Sequence, residues 1–277
     1  SGKVKVTLVD NPSISATTGN VVVGPGIPDR FEVMPVGQVT AGSSFDLAIR
    51  ALDKAGNIVT GYDTSSSGPI SLRVFLSSQD LVPPEDFFAN AAEHLTYTTL
   101  MDEYRLGKTI DFDFNLGEAS LSASDAAAFK FFFTSEAPVI QVETLDLNID
   151  GTSSPIQILP APLASVEANF LEDISFDIGG TLYDYSLGDR VNDVVIAAGQ
   201  RLKMEAVGYD RYSNLIGTLP VDWSNSATDD AGGNITSDYN GDERNFFLVS
   251  NSSVTIFSPV KSGFSYIRYE TVSGYCA

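Results

Sequence analysis

The chain has 277 residues, 36 Asp and Glu against 16 Lys and Arg, a formal net charge of −20 and a sequence pI near 4.1. A field of that sign repels phosphate backbones and anionic lipid, so nucleic acid is a poor partner and cations are the natural small ligands. No window reaches the ~18 consecutive apolar residues that cross a bilayer as a helix, which argues against membrane insertion within this chain, and the lone Cys276 permits no internal disulfide.

The apolar segments are short and turn residues interrupt them throughout. In chain order the candidate strands are Val4–Val9, Asn20–Val23, Phe31–Val36, Ser44–Leu52, Ile58–Tyr62 and Ile70–Leu76. Pro83 to Glu93, with two prolines, early acids and apolar residues at helical spacing, predicts a short helical insertion. Strands resume at Thr109–Asn115, Ala119–Ala123, Phe129–Thr134, Val139–Thr144, Ile156–Leu159 and Ser165–Leu171. The last group is Arg201–Tyr209, Val221–Trp223, Phe246–Val249, Val254–Phe257 and Phe264–Tyr269, with a polar loop over Asn225–Asn245. Strands this numerous and evenly spaced indicate an all-β sandwich architecture rather than βαβ units.

Residues 41–60 return at 198–217, 157 positions later: Ala41-Gly42, the alternating run from Phe45 and the pair Asp53/Asn57 match Ala198-Gly199, the run from Leu202 and Asp210/Asn214. Both copies alternate apolar and polar with period two, as a strand with one buried face does, and reach an Asp-x-x-x-Asn turn. A second match at an offset of 135 sets residues 14–33 against 149–168, a strand ending at a Pro and a new one opening with an apolar-Glu-apolar triplet. A repeated strand-turn-strand unit means an array of similar β-domains. The expected division is 1–25 as closing strands of a preceding unit or an extension, 26–160 as the first sandwich, and 161–277 as the second. The non-Met start, Ser1-Gly2-Lys3, fits either a processed mature chain or an excised piece, and the 1–25 hairpin with the stop soon after Ile267 suggests a piece of a longer array.

The string Thr40-Ala41-Gly42, Phe45, Asp53-Lys-Ala-Gly56-Asn57 and Gly61-Tyr62 resembles the tandem immunoglobulin-like (Big-type) domains of large bacterial and archaeal surface proteins, adhesins and S-layer repeat proteins. The second copy departs from it, with Ser213 in place of the Gly and extra residues between Val166 and Ala198. The resemblance implies tandem immunoglobulin-like β-sandwiches used as stalk, lattice unit or binding module at the cell surface.

Candidate chemistry is sparse. Asp146, Asn148 and Asp150 followed by Gly151 fit the opening of a calcium loop, but the twelfth position is Gln157 rather than a bidentate Glu. Asp150-Gly151 is also a hairpin signal between alternating apolar residues, the preferred reading. Asp238, Asn240 and Asp242 place further oxygens in one Gly-containing loop, a weaker Ca²⁺ candidate. Asp53/Asn57 and Asp210/Asn214 are read as turn caps. His94 is the only histidine and is expected to be solvated; a catalytic triad or a zinc site lacks the residues to complete it. Asp111 and Asp113 share one strand face opposite Phe112 and Phe114, which an acid-out, Phe-in strand explains without glycoside chemistry. Trp223 with Tyr209 and Tyr212 is read as core before sugar platform.

These readings converge on a non-enzymatic extracellular structural or adhesive protein that partners its own neighbouring domains or copies, or a surface glycan or protein. The alternative is a carbohydrate-binding module of a larger secreted protein.

Overall fold

The computed structural model describes residues 2–22, 24–65, 68–77, 83–122, 129–146, 148–191, 194–196, 200–225, 233–236, 248–259 and 267–271. The fold is all-β with sandwich units and one α-helical insertion. The chain divides into two compact units. The first comprises Ser1–Val39, Ser44–Lys130 and Glu136–Gln157; the second comprises Thr40–Ser43, Phe131–Ser135 and Ile158–Ala277.

In the first half the strands are β1 (Lys5–Leu8), β2 (Asn11–Thr17), β3 (Arg30–Val36), β4 (Val39–Thr40), β5 (Ser44–Leu52) and β6 (Ile70–Ser77). After the helix α1 (Ala91–Leu106) come β7 (Lys108–Phe112), β8 (Glu118–Leu121), β9 (Phe129–Lys130), β10 (Val139–Thr144), β11 (Asp150–Thr152) and β12 (Ile158–Leu159). One sheet of the first unit runs β3-β5-β8, with β9 also on β5; the other runs β11-β10-β6-β7. Alternation fills the space between them: Leu47 and Ile49 of one sheet and Leu72, Val74, Ile140 and Val142 of the other are fully buried. Each such side chain contributes about 1.5–3 kcal/mol through burial.

Two expectations for this unit are corrected. Ile58–Tyr62 is not a strand; a single bridge, Leu52 to Ile58, is followed by turns, because Val59 N–H donates back to Ala51 O and Tyr62 N–H to Val59 O. The helix lies further along than the prolines suggest. Pro84 opens only a 3₁₀ turn over Glu85–Phe87, and the sixteen-residue α1 begins after Asn90. Asn90 Oδ1 accepts the Glu93 N–H at 2.9 Å while the Glu93 carboxylate accepts the Ala89 N–H at 3.0 Å, a reciprocal cap. Met101 and Tyr104 tie the helix down. It stops at Gly107, at φ +92°, where a Cβ would meet the Phe75 ring at 2.5 Å.

The second half has β13 (Leu163–Phe170), β14 (Ile174–Ile178), β15 (Thr181–Tyr185), β16 (Leu202–Asp210), β17 (Leu215–Thr218) and β18 (Val221–Asn225). It ends with β19 (Gly233–Thr236), β20 (Leu248–Ser252), β21 (Val254–Pro259) and β22 (Ile267–Thr271). Its sheets run β13-β16-β21-β19, with β17 also on β16, and β20-β18-β22. Phe170, Met204 and Phe257 of the first sheet and Trp223 of the second form one core. The extra residues between Val166 and Ala198 form the hairpin β14–β15, whose Phe176 stacks on Tyr183 at 5.7 Å.

The register repeats along with the sequence. Phe31 faces Ala51 and Val33 faces Ile49 in the first unit; Val166 faces Gly208 and Ala168 faces Ala206 in the second. Phe45 and Leu202 are both buried at matching places on β5 and β16.

Candidate functional site

The polar residues that recur lie in the two Asp-x-x-x-Asn turns, and both build the same cage. Asp53 Oδ1 accepts the backbone N–H of Ala55 (2.9 Å) and of Asn57 (2.8 Å), and its Oδ2 accepts Gly26 N–H (2.8 Å) and Asn57 Nδ2 (3.0 Å). Asp210 Oδ1 accepts Tyr212 N–H (2.8 Å) and Asn214 N–H (2.9 Å), and its Oδ2 accepts Ala161 N–H (2.8 Å) and Asn214 Nδ2 (2.8 Å). Every donor of the first cage has its counterpart at an offset of 157 or 135, so the cap also pins the incoming segment that the weaker repeat marks. These donors, Gly26 N–H first and Asn57 next, hold the Asp53 carboxyl far below its usual range. Both turns are the backbone caps that the sequence suggests.

The turns differ in what they touch beyond themselves. Asn57 and Ala55 are exposed. Asn214 and Tyr212 are buried within the second unit, against the segments that unit takes from the first half of the chain. Asn214 Nδ2 donates to Phe132 O at 2.7 Å, and its Oδ1 accepts Thr134 N–H at 2.8 Å. The Tyr212 ring meets Phe132 edge-on at 5.1 Å, and the Arg211 guanidinium lies over the Tyr212 ring, 5.0 Å from its centroid. Tyr212 lies over Gly42, at φ +72°, where a Cβ would sit 1.9 Å from the phenol oxygen. Ala41 and Gly42 in turn donate to Leu159 O (2.8 Å) and Phe131 O (2.7 Å). The Ala-Gly motif is therefore a floor on which Tyr212 rests. Sequence reasoning passed over Tyr212 as a core aromatic and gave no role to Phe132 or Thr134, whose partners lie about 80 residues away. The substitution of Ala55 by Tyr212 between copies was the available signal.

The calcium candidates are placed differently. Asp146 and Asn148 belong to the β10–β11 connection, where Asp146 Oδ1 accepts Asn148 N–H (3.3 Å) and its Oδ2 accepts Asn148 Nδ2 (2.6 Å). Asp150 stands in β11 opposite Glu143. The structure thus forms the hairpin, with Thr144 N–H donating to Ile149 O at 2.9 Å. Asp238, Asn240 and Asp242 lie outside the described residues, as does Cys276. Among the described residues no group of three or more His, Cys, Asp or Glu side chains is arranged to hold a metal ion.

The remaining candidates are scattered. Asp111 and Asp113 are exposed while Phe112 and Phe114 are buried, and Asp111 accepts a hydrogen bond from Ser71. His94 is not solvated as expected: it is half-buried with its ring 5.0 Å from Phe88, and its buried Nε2 finds no hydrogen-bond partner among the described residues. Trp223 is fully buried and donates through Nε1 to Ser252 O at 2.8 Å, which leaves no ring face for a sugar. Glu136, 6% exposed, has its carboxyl raised to about 7 by burial, with Arg105 partly opposing the shift.

No protein-family model matches the chain, and no curated protein matches it. Among solved structures it is similar to FdeC, an Escherichia coli adhesin, with a TM-score of 0.37 and 14% identity over 91% of this chain and 61% of that one. It is also similar to dimeric latent PorU from Porphyromonas gingivalis, with a TM-score of 0.24 and 9% identity over 95% of this chain and 26% of the other. The chain therefore spans less than two thirds of either neighbour's length.

Proposed function

We propose that this chain is a non-enzymatic extracellular protein of tandem immunoglobulin-like sandwiches, working mechanically or adhesively as stalk, surface-layer or filament material. One observation carries the reading: the polar side chains that recur between the copies, Asp53/Asn57 and Asp210/Asn214, serve backbone groups of their own unit. A polymer of similar units needs that chemistry, since length and stiffness come from how each unit is capped and seated. The strongly negative surface keeps such an array soluble and repels copies at wrong angles.

Immunogold labelling of intact native cells tests the reading. Decoration of an external lattice or fibre is expected; label that appears only after lysis overturns it. Calcium held by Asp146, Asn148 and Asp150 belongs to the reading as a stiffening ligand. Thermal melts in Ca²⁺ against a chelator test that part, and an unchanged Tm removes it.

A further inference from the structure

The N-terminal hairpin repeats the pairing that closes the first unit. Gly2 N–H donates to Val21 O and Val21 N–H to Gly2 O (2.7 Å); Ile156 N–H donates to Pro138 O (2.8 Å), and only the reverse bond is lacking, because Pro has no N–H. Val4 N–H donates to Thr18 Oγ1 at 3.0 Å, and Ile140 N–H donates to Ser153 Oγ at 3.0 Å. Thr18 N–H returns to Val4 O (2.9 Å) as Ser153 N–H returns to Ile140 O (2.8 Å). The ladder then runs Lys5–Thr17, Val6–Ala16, Thr7–Ser15, matching Gln141–Thr152, Val142–Gly151, Glu143–Asp150. The first strands are 136 positions apart and the second strands 135, so the copies differ by one residue in the connecting loop.

Burial is where they part. Ile140 and Val142 are fully buried, against β6 and the core. Their counterparts Val4 and Val6 are 55% and 66% exposed, and Leu8 is 52% exposed. An isolated two-stranded hairpin is marginal in water, and an apolar row along one of its faces calls for a covering sheet. The Asp53 turn repeats the contrast: Ala55 and Asn57 are bare where Tyr212 and Asn214 hold a Phe-Phe-x-Thr segment.

We propose that residues 2–21 are the closing hairpin of a further sandwich unit of this repeat type, and that Val4, Val6 and Leu8 dock that unit's open sheet. The occupant offers a strand equivalent to β6 for Lys5–Leu8 to pair with, and a segment equivalent to Phe132–Thr134 for Asn57 to hold. This deepens the tandem-sandwich reading and rests on it, yet its test is independent of where the protein resides in the cell.

The test is a graft in the full chain, replacing residues 138–156 by residues 2–21 while keeping Gly at the place of Gly151, where a Cβ would meet Phe31 O at 2.2 Å. The expected result is retention of the first unit's thermal transition within a few degrees. Val6→Asp inside the graft is expected to abolish that transition, as Val142→Asp does in the native hairpin. Loss of the transition by the graft itself, with Trp223 fluorescence still reporting a folded second unit, overturns the proposal. Indifference of the graft to Val6→Asp also overturns it. In the otherwise unmodified chain, Val6→Asp is expected to leave both transitions in place. A shift there, or a concentration-dependent dimer that Val6→Asp disperses in sedimentation, would assign the face to this chain or to a second copy and overturn it as well.

Discussion

The turns at Asp53 and Asp210 share a sequence pattern, a cage of donors and a strand register, yet one is open to water and the other is enclosed. Two positions separate them: Tyr212 stands where the first copy has Ala55, and Asn214 is buried where the identical Asn57 is exposed. An Asn that only caps its own turn and an Asn that also holds Phe132 and Thr134 cannot be told apart by local sequence. The same residue type acquires a second role when the chain brings distant backbone groups to it. A cap thus readily becomes a clamp on a distant segment of its own unit.

Removing the carboxylate should separate the two turns most strongly. Asp210→Ala leaves Ala161, Tyr212 and Asn214 N–H groups unpaired in a buried place, and unpaired buried donors cost about 1–3 kcal/mol each before relaxation, so a loss of about 4 kcal/mol is expected. Trp223 is the only tryptophan and lies in the second unit's core, so its fluorescence in a urea titration reads this loss directly. Asp53→Ala should cost less, because water can replace the carboxylate at Ala55 and Asn57. An equal loss at both would mean that burial of the second turn contributes nothing.

The Asn pair sharpens the same point. Asn214→Ala should lower the second unit's stability by about 2–3 kcal/mol, against about 1 kcal/mol in the first unit for Asn57→Ala, since only Asn214 bonds buried backbone groups. The expected sign reverses at the residue between. Ser213 holds φ +64° where the first copy has Gly56 at +87°, and a non-Gly residue in this region costs about 1 kcal/mol. Ser213→Gly should therefore raise the second unit's Cm by an amount equivalent to about 1 kcal/mol, and a fall would show that the Ser side chain contributes something else.

The last effect is one of pH, and it belongs to the first unit. The folded Asp53 pKa lies below its usual value of 3.8, so its contribution is present above about that pH and is lost as the medium becomes more acid. Glu136 has the opposite sign: with its carboxyl raised from 4.5 to about 7, its contribution is complete below 4.5 and is lost as pH rises to about 7. Glu136→Gln should flatten the decline between those values, measured by the circular-dichroism transition that Trp223 does not report. An unchanged slope would place the carboxyl in water.

Much of this was legible in the chain. Patterning located β3, β5, β13 and β16 and marked Asp53 and Asp210 as turn caps, while the matching register and the Gly26 and Ala161 donors emerge only in three dimensions. Asp111 and Asp113 fell on the outer face and Trp223 in the core for the same reason. The helix was misplaced because its loudest signal, Pro83-Pro84, opens a 3₁₀ turn, while the true start depends on the quiet Asn90/Glu93 cap. The Leu95–Leu100 stretch, rich in Thr, carries little helical pattern. Tyr212 and Asn214 were legible as cap and core but not as a clamp on a distant segment, since Phe132 and Thr134 reach them from about 80 positions away. His94 was expected in water, and Phe88, only six residues earlier, covers it through the bend between 3₁₀ turn and helix.

The helical insertion has an evolutionary corollary. The chain leaves the sheet at the end of β6 and rejoins it beside the same strand, at Lys108 opposite Val74, so the excursion starts and finishes at nearly one place. Lengthening such a closed detour costs only about 0.6 kcal/mol per doubling, and Phe88, Met101 and Tyr104 are buried along it while Tyr97 donates to Lys130 O at 3.0 Å. An excursion that begins and ends beside one strand can change in length without altering which strands pair beneath it.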